Sequence, residues 1–174
     1  MPPARYLFDK KYSVEAEFDV WEYGRIIETN MIIKAVNQPD AVGLSEKITA
    51  GLETKKEKVK AIRDYVAKNV RGIGVSFYDF PLDSISPADT TLGAEYGHGV
   101  DLAVLTYAML DGVGLEPRIV LGDSVRLASD TEDSAVTSHD FIDTVLVVVD
   151  DGDETYYVNG GSQYSDLQTT GADR

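Results

Sequence analysis

One apolar segment constrains the fold of this chain more than any other feature. From about Val100 to Gly112 almost every position is apolar, and Gly112 and Gly114 end the run. A helix that is apolar on all sides has to be surrounded by other parts of the protein. The sequence therefore predicts a buried helix at about residues 100–112, with the other elements packed around it.

Helical patterns precede this segment. The sequence Thr54-Lys55-Lys56-Glu57 has the spacing of a capping box, and apolar residues then recur every three to four positions. This pattern predicts an amphipathic helix at residues 55–70. A shorter helix is predicted at residues 40–52, and Ser86-Pro87 is typical of a helix start, with Ser at the cap and Pro at the first helical position. Residues 26–36 are apolar at mixed spacing, which leaves a helix and a strand as alternatives.

Strand patterns lie towards both ends of the chain. Polar and apolar residues alternate at positions 12–20, and residues 118–121 form a short apolar run. Residues 141–149 and 155–158 predict a β-hairpin, because the segment between them has a typical turn sequence. Residues 72–86 predict an aromatic loop, and residues 96–99 a turn. Helices followed by antiparallel strands predict an α+β fold.

The size and charge of the chain limit its organisation and its partners. Its 174 residues are enough for one hydrophobic core, so we expect a single domain over residues 1–174. The net charge of −14 repels phosphate backbones, which argues against nucleic acid and anionic membranes as partners. No apolar run is long enough for a membrane helix, and the first residues do not predict a signal peptide. The compartment stays open: the domain is cytoplasmic, or exported as a piece of a longer chain.

The chain contains no cysteine. This excludes disulfides, zinc–thiolate sites and every cysteine-based mechanism. The segment Gly97-His98-Gly99 lacks the further glycines and the lysine of a phosphate loop, so no cofactor is predicted.

Three local patterns, in this order, resemble the bacterial transglutaminase-like superfamily, which has the papain-like fold. The first is the charged helix at residues 54–71. The second lies at residues 97–103, where the family has Gly-x-Cys-x-Asp-x-Ala at the start of a buried helix. Gly97, Asp101 and Ala103 match this pattern, and Gly99 stands in place of the cysteine.

The third pattern is His139-Asp140-Phe141-Ile142-Asp143, which is similar to the family's His-x-aromatic-x-acid strand. It is followed by Tyr156-Tyr157-Val158-Asn159, where the family has Asp or Asn. The resemblance covers roughly residues 44–168. It implies a buried central helix packed on an antiparallel β-sheet.

The resemblance also implies an active site without its nucleophile. In the family the helix N-terminus stabilises a thiolate, a histidine pairs with it, and an Asp or Asn orients the imidazole. The equivalent positions here are Gly99, His139 and Asn159. Since glycine has no side chain, no acyl-enzyme can form. We therefore expect a catalytically inactive domain that binds a peptide, glycan or protein within a larger bacterial protein.

The expected binding cleft is lined by Tyr96, His98, Asp101 and Asp140. His98 lies between two glycines and is expected to be an exposed turn residue. A metal held by the two histidines with Asp101 or Asp140 would have chemically reasonable ligands. The spacing follows no recognised motif, however, so no metal site is predicted.

Two other functions stay open. One is a hydrolase or acyl-transfer enzyme that uses His139 as a base for direct attack by water. The other is a purely structural module whose cleft is filled. A symmetric hairpin centred near Asp151 would pair Asn159 with about Asp143, which leaves about 13 Å along the strand to His139. The pairing of His139 with Asn159 therefore requires a bulge or a shifted turn.

Overall fold

The computed structural model describes residues 5–9, 12–15, 20–74, 81–122, 143–158 and 166–168. Its helices and strands follow one another in the order β1 (Arg5–Asp9), β2 (Tyr12–Glu15), α1 (Val20–Ala35), α2 (Pro39–Thr49), α3 (Lys55–Asn69), β3 (Arg71–Ile73), α4 (Ala88–Ala94), β4 (Tyr96–His98), α5 (Gly99–Gly112), β5 (Arg118–Gly122), β6 (Thr144–Asp151) and β7 (Glu154–Val158).

Helix α5 is the centre of the fold. It packs against α1, α2, α3 and α4 and against strand β6. Leu105, Met109 and Leu110 are fully buried along its length. The predicted buried helix is therefore confirmed, and its all-apolar composition follows from having neighbours on every side.

The predicted amphipathic helix α3 is also confirmed, including its start. The Thr54 hydroxyl accepts a hydrogen bond from the Glu57 N–H at 3.2 Å, and the Glu57 carboxylate accepts one from the Thr54 N–H at 3.1 Å. These two bonds form the capping box, and such a cap contributes about 1 kcal/mol to stability. Val59, Ile62 and Val66 are fully buried at helical spacing.

Helix α1 settles the identity of residues 26–36, which are helical up to Ala35. Ile27, Met31 and Ala35 recur every four residues and are buried. The strand predicted at residues 12–20 is confirmed only as β2, which pairs antiparallel with β1. At Val20 the strand prediction is wrong, because helix α1 begins there and continues with Ile27 and Met31 buried at helical spacing.

Strands β5, β6 and β7 form an antiparallel sheet in that order. The predicted hairpin is confirmed as β6 and β7, joined by Gly152 and Asp153. Gly152 has a φ of +64°, a value that favours glycine in two-residue loops. Four consecutive residues of β6, Leu146–Val149, are buried. Val147 and Val149 belong to the same core as the α5 residues, whereas Leu146 and Val148 point to the opposite face of the sheet. Buried helix and antiparallel sheet together confirm the α+β fold.

The start of α4 and the segment before α5 differ from prediction. Ser86 does not cap α4, because Pro87 occupies the cap position and the helix begins at Ala88. Residues 96–98 are not a turn but strand β4, which pairs in parallel with β3. Such three-residue strands carry no period that the sequence could reveal. In the described part of the chain, no helix is long and apolar enough to cross a membrane.

Candidate functional site

The candidate site lies where strand β4 leads directly into helix α5. Gly99 is the first residue of α5, and His98 occupies the cap position before it. Strand β3 lies beside β4, with Gly72 in register with Gly97 and Ile73 in register with His98. The sheet therefore fixes the backbone on one side of Gly99, and the central helix fixes it on the other.

A buried carboxylate holds this junction in place. The two oxygens of Asp101 accept hydrogen bonds from the backbone N–H of Ser86 at 2.8 Å and of His98 at 2.9 Å. Asp101 is only 5% exposed. A carboxylate taken out of water is tolerated when such bonds replace its hydration and when it lies at a helix N-terminus. Asp101 therefore connects the start of α5 to the segment before α4.

The imidazole of His98 completes the helix cap. Its Nδ1 accepts a hydrogen bond from the Val100 N–H at 3.1 Å, and the residue is 3% exposed. A ring nitrogen that accepts carries no proton, so the ring proton is on Nε2. The prediction that His98 is an exposed turn residue is wrong, because the ring folds back onto the first turn of α5.

Gly97 is required by packing. A Cβ at this position would lie 2.9 Å from the Asp101 Cβ and 3.0 Å from the Thr91 Cγ2. Both neighbours are themselves buried, so neither has open space to move into. The first glycine of the motif is therefore explained by the close approach of β4 to α4 and α5.

Gly99 is in the opposite situation. It is exposed, its φ lies outside the left-handed region, and a Cβ built on it meets no atom of the described residues within 4 Å. Neither the backbone nor the packing requires glycine here. A side chain at position 99 would begin at the N-terminus of α5, clear of every segment that the structure describes. This is the place where a helix dipole would favour a thiolate, and it carries no reactive group.

The other predicted site residues are placed only in part. Tyr96 is 57% exposed, in contrast to the buried Asp101 and His98. His139, Asp140 and Asn159 lie outside the described residues, so their relation to Gly99 stays a prediction.

The hairpin register differs from the symmetric one expected. Val158 lies opposite Val147, because the turn is centred between Gly152 and Asp153 instead of near Asp151. Val147, in this last described pair of the hairpin, is eight positions along the sequence from His139.

The chemistry available to the described residues is limited. No described group of three or more His, Cys, Asp or Glu could hold a metal ion. With no cysteine in the whole sequence, position 99 offers exposed backbone at the start of α5 in place of a nucleophile.

The capping role of His98 and Asp101 was not predicted. Its signal is present in the sequence, because a side-chain acceptor followed three residues later by an acid is a capping-box pattern. The contact between Asp101 and the Ser86 backbone has no comparable signal, since these residues come together only through the packing of α4 on α5.

Comparison with known proteins agrees with this architecture. Residues 42–152, more than half of the chain, match the sequence profile of the transglutaminase-like superfamily. A comparison with curated proteins finds no match.

Two solved structures share the fold. One is a proposed protease from Parabacteroides distasonis, with a TM-score of 0.60 and 17% identity over 78% of this chain and 26% of that one. The other is a proposed cysteine protease from Cytophaga hutchinsonii, with a TM-score of 0.52 and 18% identity over 77% of this chain and 43% of that one. The chain thus spans less than half the length of either structure. From the profile match, the chain belongs to the transglutaminase-like superfamily, and it lacks the catalytic cysteine of that family.

Proposed function

We propose that this chain is a catalytically inactive transglutaminase-like domain that binds a peptide, a glycan or a protein in the cleft beside Gly99. One observation carries the proposal. Position 99 has no reactive side chain but is exposed, and no described side chain lies within 4 Å of a Cβ there, at a junction that Asp101 and His98 hold in place. An accessible, rigid surface of this kind suits binding, since function resides in sites that can change while a fold persists.

The packing around the junction supports binding over a purely structural module. A cleft filled by the described segments would place their side chains over Gly99, and a Cβ there meets none of them within 4 Å. Tyr96, exposed on the adjacent strand, adds an amphipathic ring of the kind that is enriched at interfaces. His139 and Asp140 are proposed to line the same cleft. Asn159 is proposed to hold His139, which requires a bulge between them, because the observed turn lies further along the chain than the symmetric one.

The domain is proposed to act as one module of a larger bacterial protein. The solved structures that share its fold are much longer chains, of which it spans 26% and 43%. A binding module is most useful when another part of the same polypeptide uses the bound ligand, because the linkage raises the effective concentration.

Binding can be tested with the variant Gly99→Cys, whose single thiol reports on the cleft. Peptidoglycan peptides, glycans and cell-extract fractions are each tested for slowing of its alkylation by iodoacetamide. The matched control is Gly93→Cys, at another exposed position where a Cβ meets nothing within 4 Å. A cleft ligand slows alkylation of the first variant and leaves the second unchanged. A thiol at position 99 that does not react with iodoacetamide even without a ligand would show that the cleft is closed and would contradict the proposal.

Inactivity has its own test. The unmodified chain is incubated with glutamine-containing peptides and with peptide esters, and the release of ammonia and of alcohol is followed. The expected rates equal those of His139→Ala and of buffer. A rate above buffer that disappears in His139→Ala would establish the water-attack enzyme instead.

A further inference from the structure

Strand β3 leaves one of its edges without a strand partner in the described part of the chain. It forms a two-stranded parallel sheet with β4 and pairs with no other described strand. Parallel sheets are almost always larger and covered, and two strands alone are marginally stable. This small sheet, immediately before the candidate site, is therefore one that a further strand would extend.

The backbone of β3 shows which groups are available. The Arg71 N–H donates to the Glu95 carbonyl at 2.8 Å, so Arg71 directs its backbone groups towards β4. Successive residues of a strand direct these groups to alternate sides, so Gly72 directs its N–H and C=O towards the outer edge. Gly72 and Gly74 are both exposed, and neither has a side chain that would keep another backbone away.

The side chains beside this edge indicate the ligand. Arg71 is exposed and forms no ion pair with any residue that the structure describes. Ile73 is on the same face of β3, two residues away, and is 42% exposed. A strand laid beside β3 would place one side chain next to the guanidinium and another, two positions along, next to the isoleucine.

We infer that the outer edge of β3, at Arg71, Gly72 and Ile73, is a docking site for an extended peptide with an acidic residue two positions from an apolar one. Only an extended backbone offers donors and acceptors at the spacing of a strand edge, and such strand addition is a common mode of peptide recognition. This inference rests on the proposed binding function and names its ligand class. The peptide would lie on the other side of β3 from β4, two strand spacings or about 10 Å from the β4 backbone that leads into Gly99.

The test uses the whole chain, labelled with nitrogen-15, and the capped peptide Ser-Thr-Glu-Thr-Val-Thr-Ser. The expected result is a saturable shift of the Gly72 amide resonance. N-methylation of the peptide, one amide at a time, should weaken binding about fivefold at the amide that donates to the Gly72 carbonyl and not at its two neighbours, because alternate N–H groups point away from β3. Because the methyl groups are on the ligand, this pattern needs no protein variant to fold.

Charge recognition is tested in the same titration. Arg71→Gln should lower the affinity for the Glu peptide about fivefold, to that of its Gln counterpart, while Lys60→Gln on α3 leaves both affinities unchanged. The absence of a Gly72 shift at millimolar peptide, or N-methyl effects without alternation, would overturn the inference. Cleft ligands that protect the thiol of Gly99→Cys without shifting Gly72 would overturn it while the proposed function stands. A peptide that shows the alternating N-methyl effect but does not protect the thiol of Gly99→Cys would instead count against the proposed cleft.

Discussion

Asp101 connects three segments of the chain through one buried carboxylate. It belongs to α5, and its oxygens accept the N–H groups of His98 on β4 and of Ser86 before α4. Bonds of this kind, between a charged acceptor and buried donors, are stronger than neutral ones. The geometry at Gly99 therefore depends on a residue two positions away that is itself almost inaccessible.

Asp101→Asn tests this dependence. The amide can accept one of the two hydrogen bonds, but its NH₂ group would face the second N–H donor and leave that donor unsatisfied. We expect a loss of about 2 kcal/mol in the free energy of unfolding, measured by urea denaturation. Asp111→Asn, at an exposed position on the same helix, is the control and should stay within about 0.5 kcal/mol of the unmodified chain. Equal losses in both variants would remove the special role of Asp101.

The two glycines of the site should respond in opposite ways to a methyl group. Gly97→Ala places a Cβ 2.9 Å from Asp101, so overpacking should cost about 2 kcal/mol of unfolding free energy. Gly99→Ala meets no described neighbour within 4 Å and should change stability by about 0.5 kcal/mol at most. Thermal and urea unfolding of the two variants provide the comparison. If Gly99→Ala lowered the free energy of unfolding more than Gly97→Ala, the conclusion that position 99 has room for a side chain would be contradicted.

Much of the site was predictable at this scale because the motif is local. Gly97, Gly99, Asp101 and Ala103 lie within seven consecutive residues, and their spacing locates the missing nucleophile. The burial of His98 was missed, although the capping pattern of His98 and Asp101 is present in the sequence, because the two flanking glycines suggested an exposed turn. Two glycines around a histidine look like an exposed turn unless the neighbouring strand β3 is known.

At the scale of elements, the hairpin of β6 and β7 is joined to α3 by charged and aromatic contacts. Lys55 donates to the Asp150 carbonyl at 3.0 Å, and the Lys56 ammonium lies 5.9 Å from the centre of the Tyr156 ring. The Tyr156 hydroxyl donates to the Glu154 carboxylate at 2.6 Å. This bond, together with burial, raises the pKa of Tyr156 to about 12.

Alkaline unfolding should report on this contact. The raised pKa means that the folded chain keeps Tyr156 protonated, so its stabilising contribution is complete below pH 10 and is lost as pH rises towards about 12. Glu154→Gln removes the charge and should lower the pKa of Tyr156. The free energy of unfolding should then fall less as the pH rises. Difference absorbance of the phenolate and urea unfolding at several alkaline pH values measure both effects. Asp153→Asn is the control. If it lowered the pKa of Tyr156 as much as Glu154→Gln does, the raised pKa would come from the total negative charge of the turn and not from the bond to Glu154.

The long elements were predictable and the short ones were not. Helices α3 and α5 each carry more than ten residues of consistent pattern, whereas β3 and β4 have three residues each. The pairing of β3 with β4 places Arg71 beside Tyr96, and no local pattern encodes a contact between residues so far apart in the sequence. The hairpin was predicted, but its centre was misplaced because several acidic residues compete for the turn and only Gly152 takes the positive φ.

At the scale of the whole molecule, charge is distributed unevenly. The chain has 30 acidic and 16 basic residues, yet α3 contains six of the basic ones and only two acidic ones. Exposed pairs such as Arg118 with Asp150 stabilise a fold only weakly. The repulsion within an excess of 14 negative charges should therefore be the larger electrostatic effect on the compact state.

Salt should accordingly stabilise the protein. Raising sodium chloride from low concentration to about 0.5 M, where charges are screened beyond a few ångströms, should raise the Tm by roughly 2–4 °C. Calorimetric melts in sodium chloride and in potassium chloride should agree, because screening does not depend on the cation. A Tm that falls with salt would mean that attractive pairs outweigh the net repulsion.

The central claim is that the active-site position at Gly99 is intact except for its side chain. The most direct measurement is the rate of iodoacetamide alkylation of Gly99→Cys at neutral pH, relative to Gly93→Cys. A thiol pKa lowered by one unit gives tenfold more thiolate, and reduced nucleophilicity offsets about half of that on a logarithmic scale. We expect the thiol at position 99 to react roughly threefold faster than the control, and His139→Ala to reduce this difference to the part that the helix N-terminus supplies. A thiol at position 99 that reacts no faster than the one at position 93, or does not react, would contradict it.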